Sequence, residues 1–168
     1  MQPIATLNEL SEAEFAAALR PLFEAAEPLA RALYAARPFA SYSELVDAAE
    51  ALALALPLSE QIVVLSAHPR IGANPESVSA ASYAEQGYDH ESAIDRRKLS
   101  AVYEELAKLN EQYEQRFGFR FVVFVNKRPK SEILTVLRVR LDNPPDEELR
   151  TGLREMFEIA RDRLCLLA

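Results

Sequence analysis

Apolar residues recur every three or four positions along most of this chain, which is the spacing that places side chains on one face of an α-helix. Two of these stripes follow capping-box patterns at residues 11–14 and 41–44, where serine and glutamate bond the free N–H groups of a helix start. Pro21 is expected to bend or end the first helix, and the second must stop before Pro38. The stripes of the first three predicted helices are Phe15, Leu19, Leu22 and Phe23, then Leu29, Leu33 and Ala36, then Leu45, Ala49, Leu52 and Leu56.

The same spacing continues through the second half of the chain. From Ser59 the stretch SEQIVVLSA contains a strand-like run, but its serine cap and its helical neighbours favour a helix. The clearest stripe lies between Ile94 and Gly118, where the glycine suits the residue that follows a helix. Two closing helices are predicted after Pro129, and the last of them carries the stripe Leu149, Leu153, Met156, Ala160, Leu164 and Leu167.

One segment breaks the helical pattern. The stretch FRFVVFV, residues 119–125, alternates bulky and β-branched residues, yet the chain offers no second strand to pair with it. A lone strand cannot satisfy its own backbone groups, so we expect a short buried extended segment whose amides are available to another group. The fold predicted for residues 1–168 is therefore a single all-α domain, a bundle of about seven to nine helices with this one extended segment.

Composition narrows the function. Only four glycines are present, so a phosphate-binding loop of closely spaced glycines is excluded, and with it P-loop and Rossmann enzymes. The excess of 26 acidic over 19 basic residues gives a formal charge of −7, which disfavours nucleic acid and membrane surfaces as partners. The single cysteine, Cys165, is expected to be buried, and the absence of an intramolecular disulfide favours the cytoplasm.

The stretch LSAHPRIGAN, residues 65–74, contains His68, one of two histidines in the chain. A residue before proline is pushed out of the helical region, so His68 must lie where the helix ending near Ala67 breaks off. We expect this position to be the mouth of a site and not part of the core. The partial negative charge of the last helical carbonyls favours an imidazolium there, which suits a proton donor. A surface histidine at a helix end is the alternative that this spacing leaves open.

A second polar group follows in SYAEQG, residues 82–87. If this stretch is helical, Ser82, Glu85 and Gln86 share one face. A hydroxyl, a carboxylate and an amide side by side could hold and deprotonate a small polar ligand, although a solvated helix face has the same pattern. No zinc site is indicated, because two histidines and one cysteine have no close ligand spacing.

Taken in order, the motifs HPRIG, S-x-x-E-Q, LAKLNEQYEQRFGFRFVVFV, SEILTVLRVRLDN and EIARDRL resemble the 2-oxo-4-hydroxy-4-carboxy-5-ureidoimidazoline (OHCU) decarboxylase family. The resemblance covers nearly the whole chain. It implies an all-helical homodimeric enzyme of urate breakdown that needs no metal or organic cofactor. Its implied small-molecule substrate is the ureidoimidazoline produced by 5-hydroxyisourate hydrolysis, and its product is (S)-allantoin.

The resemblance also implies roles for individual positions. His68 matches the family's catalytic histidine, and Glu85 matches its second catalytic group. Arg163 falls on the arginine of the closing Arg-Leu pair, with Arg161 as the nearby alternative. The residues implied to bind substrate are Pro69, Ser82, Gln86, Phe121, Val122, Val123, Phe124, Val125 and Arg163.

Two other functions stay open at this stage. A helical interaction module without catalysis would be unaffected in all but local stability by His68→Ala. A hydrolase or isomerase of a related cyclic amide would use the same histidine and glutamate but would release no CO2. Neither explains why the His-Pro break, the Ser-x-x-Glu-Gln face and the extended segment occur together.

Overall fold

The computed structural model describes residues 1–90, 97 and 99–167, and every regular element in that part of the chain is helical. The all-α prediction is confirmed. The α-helices are α1 (Ile4–Glu9), α2 (Glu12–Phe23), α3 (Glu27–Ala35), α4 (Tyr42–Ala55), α5 (Leu58–Ser66), α6 (Ala80–Glu85), α7 (Ser100–Phe117), α8 (Lys130–Arg140) and α9 (Pro145–Leu167). Two 3₁₀ turns, Pro75–Ser77 and Tyr88–His90, flank α6.

The two predicted capping boxes start their helices where expected, whereas α5 begins at Leu58 after Pro57, so Ser59 lies inside that helix and does not cap it. Ser11 and Glu14 form the capping box of α2, and the Ser41 hydroxyl accepts from the Glu44 N–H at the start of α4. Pro21 lies inside α2 and does not end it, because the helix continues for two more residues to Phe23. The six-residue α1 was not predicted, since it buries only Leu7 and is too short to show a stripe.

Two predictions in the second half need correction or restriction. The long helix runs from Ser100 to Phe117, and Gly118 follows it in the left-handed conformation with φ 78°. The predicted start at Ile94 lies outside the described residues. Cys165 is exposed and not buried, because it follows Leu164 by one residue and so points about 100° away from the apolar stripe.

The core forms where the last helix packs across the first half of the chain. Helix α9 contacts α2, α4 and α5, and α3 contacts the same three helices. Gly152 permits the close crossing of α9 over α5, because a Cβ at this position would lie 3.1 Å from Leu65 Cδ1. Since His68 follows α5 by two residues, this crossing fixes the histidine relative to α9.

The buried extended segment is also confirmed. Phe119, Phe121, Val122, Val123 and Val125 are all buried, without belonging to a helix or sheet. Side chains of later helices bond its backbone: Arg140 Nη1 donates to the Val122 carbonyl at 2.8 Å, and Glu155 accepts from the Phe124 N–H at 2.7 Å. The Phe124 amide is therefore taken by the protein and is not available to a ligand, contrary to the expectation for the segment as a whole.

No helix in the described part of the chain is both long and apolar enough to cross a lipid bilayer.

Candidate functional site

A cavity of about 1350 Å³ lies between α2, α6, the extended segment and α9. It is lined by all eleven residues that sequence analysis singled out as catalytic or substrate-binding: His68, Pro69, Ser82, Glu85, Gln86, Phe121, Val122, Val123, Phe124, Val125 and Arg163. These residues come from four separate stretches of the chain. A volume of this order accommodates a small organic molecule together with water.

His68 lies deeper than predicted. It is only 4% exposed, and its carbonyl accepts from Arg120 Nη1 at 2.6 Å. Neither imidazole nitrogen makes a hydrogen bond of good geometry with a described residue, although the Val64 carbonyl, one turn earlier in α5, is close enough to favour the protonated ring. The expected position at the mouth of the site is therefore wrong, because His68 is buried, although it does line the cavity.

The predicted imidazolium is also not what the structure favours. Burial lowers the pKa of His68 to about 4, and the Arg163 and Arg120 charges act in the same direction. Glu24 and the Val64 carbonyl oppose the shift without cancelling it. The desolvation cost outweighs the attraction of the helix-end carbonyls, so His68 is a neutral imidazole at neutral pH. A neutral ring has one donor and one acceptor nitrogen, and both can serve a ligand.

Glu85 is held by Arg163. The guanidinium binds the carboxylate with two nitrogens, Nε to Oε1 at 2.5 Å and Nη2 to Oε2 at 2.8 Å. Arg163 is 3% exposed and Glu85 is 18% exposed, so the guanidinium is shielded from bulk water while the carboxylate is partly accessible. Arg161, the alternative at this position, points elsewhere and pairs with Asp47 and Glu50 of α4.

Glu24, which sequence analysis did not single out, also belongs to this cluster. Its Oε1 accepts from the Ser79 hydroxyl, the Ser82 hydroxyl and Arg163 Nη2, each at 2.9 Å. Burial acts to raise the pKa of Glu24, but the Arg163 charge and the serine hydroxyls outweigh it and hold the pKa below its ordinary value. A glutamate at the end of an amphipathic helix looks like an ordinary surface charge in the sequence, so no local pattern could have identified it.

The face of α6 that carries Ser82, Glu85 and Gln86 lines the cavity and is not a solvated surface, but its side chains mostly bind protein groups. Gln86 Oε1 accepts from the Gly72 N–H and from the Tyr88 hydroxyl, both at 2.9 Å. Gly72 has φ +75°, which turns the chain back after His68 and Pro69. Gln86 thus ties the loop that carries the histidine to the helix that carries Glu85.

The cavity wall is more positive than the molecule as a whole. Lys130, also missed from the sequence, is buried, and its Nζ donates to the Gln86 carbonyl at 2.7 Å and lies 4.5 Å from the Tyr88 ring centre. The described charged residues that line the cavity are the basic Arg20, Lys127, Arg128, Lys130 and Arg163 and the acidic Glu24, Glu85 and Asp162. An excess of basic groups in a chain of formal charge −7 suits a negatively charged small molecule.

Within the ranges that the structure describes, no group of three or more histidine, cysteine, aspartate or glutamate side chains is placed to hold a metal ion.

The sequence was compared with known protein families and proteins. The model of the OHCU decarboxylase family matches residues 8–165. The chain belongs to this family. A 2-oxo-4-hydroxy-4-carboxy-5-ureidoimidazoline decarboxylase of Haloferax volcanii is 32% identical over 94% of this chain and 91% of its own length. The enzyme of the same name from Xenopus laevis is 29% identical over 95% and 91%.

One relative is a longer protein of which this chain matches only a part, and two solved structures have the same fold. The uric acid degradation bifunctional protein PucL of Bacillus subtilis is 31% identical over 94% of this chain but only 31% of its own length. A crystal structure of OHCU decarboxylase in the presence of (S)-allantoin matches with a TM-score of 0.64 at 25% identity, covering 83% of this chain and 89% of that one. A crystal structure of (S)-allantoin synthase has the same fold, with a TM-score of 0.66 at 23% identity over 98% of this chain and 53% of that one.

Proposed function

We propose that this protein decarboxylates 2-oxo-4-hydroxy-4-carboxy-5-ureidoimidazoline to (S)-allantoin in urate degradation, without a metal or organic cofactor. Membership of the OHCU decarboxylase family supports the reaction. The observation that carries the proposal is a buried histidine that lines one cavity with the Glu85–Arg163 pair and makes no side-chain hydrogen bond of good geometry with a described residue. A buried polar group without a partner is costly, so its retention points to a ligand.

The substrate supplies its own electron sink. When the bond between C4 and the carboxylate breaks, CO2 leaves and the electron pair moves into a new C4=C5 bond. The π electrons of the adjacent ring C=N move to nitrogen, which takes up a proton. The product of this step is an enol that still carries the 4-hydroxyl group, and no external oxidant or reductant is needed.

Tautomerisation then decides the stereochemistry. The enol hydroxyl loses its proton to give the C4 carbonyl, and C5 gains a proton on one face to give (S)-allantoin. Glu85 orients the 4-hydroxyl or accepts its proton, and His68 acts as the acid or base that completes the transfer, with the reverse assignment as the alternative. A neutral imidazole suits either role, because it can accept a proton on one nitrogen and donate from the other.

The remaining cavity residues hold the substrate in place. Pro69 and the segment of Phe121, Val122, Val123, Phe124 and Val125 form its apolar wall, against which loss of a carboxylate charge is favourable. Ser82 and Gln86 lie on the polar side of the cavity, where Arg163 holds the Glu85 carboxylate. Fixing the ring between these walls exposes one face of the enol to the proton donor.

Release of CO2 together with formation of allantoin tests the proposal. Freshly generated ureidoimidazoline is supplied to the protein, and CO2 is measured against a protein-free control. The proposal predicts CO2 and allantoin in equal amounts at a rate well above spontaneous decay. Consumption of the ring compound without CO2 would instead indicate a hydrolase or isomerase, and no acceleration would leave a non-catalytic helical module.

Two further features belong to this proposal. The protein forms a homodimer, which sedimentation equilibrium checks by a mass of about twice 18.8 kDa. It acts in the cytoplasm, where an exposed free thiol such as that of Cys165 stays reduced. Fractionation of cells that express the tagged protein checks the compartment.

A further inference from the structure

Arg163 has little capacity left for a substrate. Its Nε binds Glu85, its Nη1 contacts the carbonyls of Pro21 and Leu22 at 3.3 and 3.4 Å, and its Nη2 contacts Glu24, Ser82 and Glu85. All three nitrogens of the guanidinium therefore have protein acceptors, and the side chain is 3% exposed. This arrangement fits a group that positions its neighbours better than one that binds a ligand directly.

Glu24 completes the arrangement from the opposite side. Arg163 lies between two carboxylates, Glu85 from α6 and Glu24 from the end of α2. The Ser82 hydroxyl donates to Glu24 and accepts from Arg163, so it links the two charges. Rotation of the guanidinium away from Glu85 would break its bond to Glu24.

The backbone at Glu24 supports a functional reason for this residue. Its φ of 55° and ψ of −145° belong to a region that residues with a Cβ rarely adopt. Glycine would form this turn without strain. Strained backbone at a cavity wall is found where the side chain is needed, and here the side chain makes three bonds into the cluster.

We propose that Glu24 is a positioning residue that fixes the Arg163 guanidinium and, through it, the catalytic carboxylate of Glu85. The proposal rests on the decarboxylase function given above. In this proposal Glu24 acts through Arg163 and not on the substrate itself. Its effect is expected on the chemical step and not on the affinity for substrate, since Glu85 without a fixed orientation still lies in the cavity.

Two variants and one control separate positioning from folding. Glu24→Gln keeps the shape of the side chain but removes its charge, while Glu24→Gly removes the side chain and relieves the backbone at a positive φ. Glu27→Gln is the matched control, because it removes the same charge three residues away at an exposed position outside the cavity. We expect kcat to fall roughly 10- to 100-fold in both Glu24 variants with KM changed by less than about threefold, and no change in the control.

A measurement without substrate tests directly whether Glu24 fixes the Arg163 guanidinium. Nitrogen NMR of the Arg163 guanidinium should show separate, slowly exchanging Nη signals in the wild type, which merge in Glu24→Gln and stay separate in Glu27→Gln. Wild-type kcat in Glu24→Gly would overturn the proposal, since only the turn would then matter. Unchanged Arg163 signals in Glu24→Gln would also overturn it. If the wild type releases no CO2, the proposed function fails, while the NMR result still decides whether Glu24 fixes Arg163.

Discussion

At the scale of single residues, the buried imidazole of His68 is expected to lower the stability of the fold while it supports the reaction. A buried polar group without a partner costs about 1–3 kcal/mol, and neither ring nitrogen of His68 makes a hydrogen bond of good geometry with a described residue. We expect His68→Leu to raise the free energy of unfolding by about 1 kcal/mol at pH 7 while lowering kcat/KM roughly 10²–10⁴-fold. Urea unfolding and steady-state kinetics check both effects. A variant that lost both stability and activity would show that the imidazole has a structural bond.

The same histidine makes stability depend on pH. Its pKa is about 4 in the folded chain against an ordinary value of 6.5, so between these values the unfolded chain binds a proton that the folded chain does not. The free energy of unfolding should therefore fall as the pH drops through this window, by about 3 kcal/mol in total. Urea unfolding at pH 7, 5.5 and 4.5 measures this loss. His68→Leu provides the baseline, and equal slopes in the two proteins would contradict the lowered pKa.

Some residues of this site can be predicted from the sequence, and others cannot. His68 and Glu85 stand in local patterns, a helix break before proline and a helical face, that indicate their neighbourhood in the fold. Glu24 and Lys130 show no such pattern, because their importance comes from partners more than 40 positions away along the chain. The charge of His68 was mispredicted for a related reason. The helix-end effect is local, whereas the burial that outweighs it depends on the whole fold.

At the scale of elements, a buried ion pair holds the extended segment against the helices. Arg140 of α8 donates through Nε to Glu148 of α9 at 2.8 Å and through Nη1 to the Val122 carbonyl. Glu148 is fully buried and also accepts from Tyr113 of α7 and from Asn143. Three helices therefore meet at one carboxylate, which fixes the wall of the cavity from behind.

Removing Arg140 should show how much free energy it costs to bury the Glu148 carboxylate without its partner. Arg140→Met leaves the Glu148 charge buried, and we expect the free energy of unfolding to fall by about 3–5 kcal/mol. Arg138→Met in the same helix breaks an exposed pair with Glu105 and should cost no more than about 1 kcal/mol. Thermal or urea unfolding of the two variants checks the contrast. Similar losses would mean that the buried pair has no special role.

The elements themselves were largely predictable. Apolar stripes and capping boxes identify most helices because these signals lie within one or two turns, and the segment of residues 119–125 stands out because the sequence pattern predicts no strand to pair with it. The short α1 escaped prediction because a six-residue helix shows less than two turns of pattern. The Arg140–Glu148 pair could not be predicted, since it forms only when α8 and α9 are packed together.

At the scale of the whole molecule, the single-domain organisation stays a prediction. Helix α9 packs against α2, α4 and α5, so the C-terminal helix is part of the same core as the N-terminal half. We expect one cooperative unfolding transition. Because the chain has six tyrosines and no tryptophan, far-ultraviolet circular dichroism and tyrosine fluorescence follow it independently. Coincident curves in urea would support one domain, and separate midpoints would contradict it.

Stereospecific decarboxylation is the central claim, and the circular dichroism of the allantoin formed tests it most directly. Freshly generated ureidoimidazoline is followed with the wild type, with His68→Ala and without protein. The site described here predicts rapid appearance of the (S)-allantoin signal with the wild type alone. Equal decay to racemic allantoin in all three samples would contradict both the assigned reaction and the role of His68.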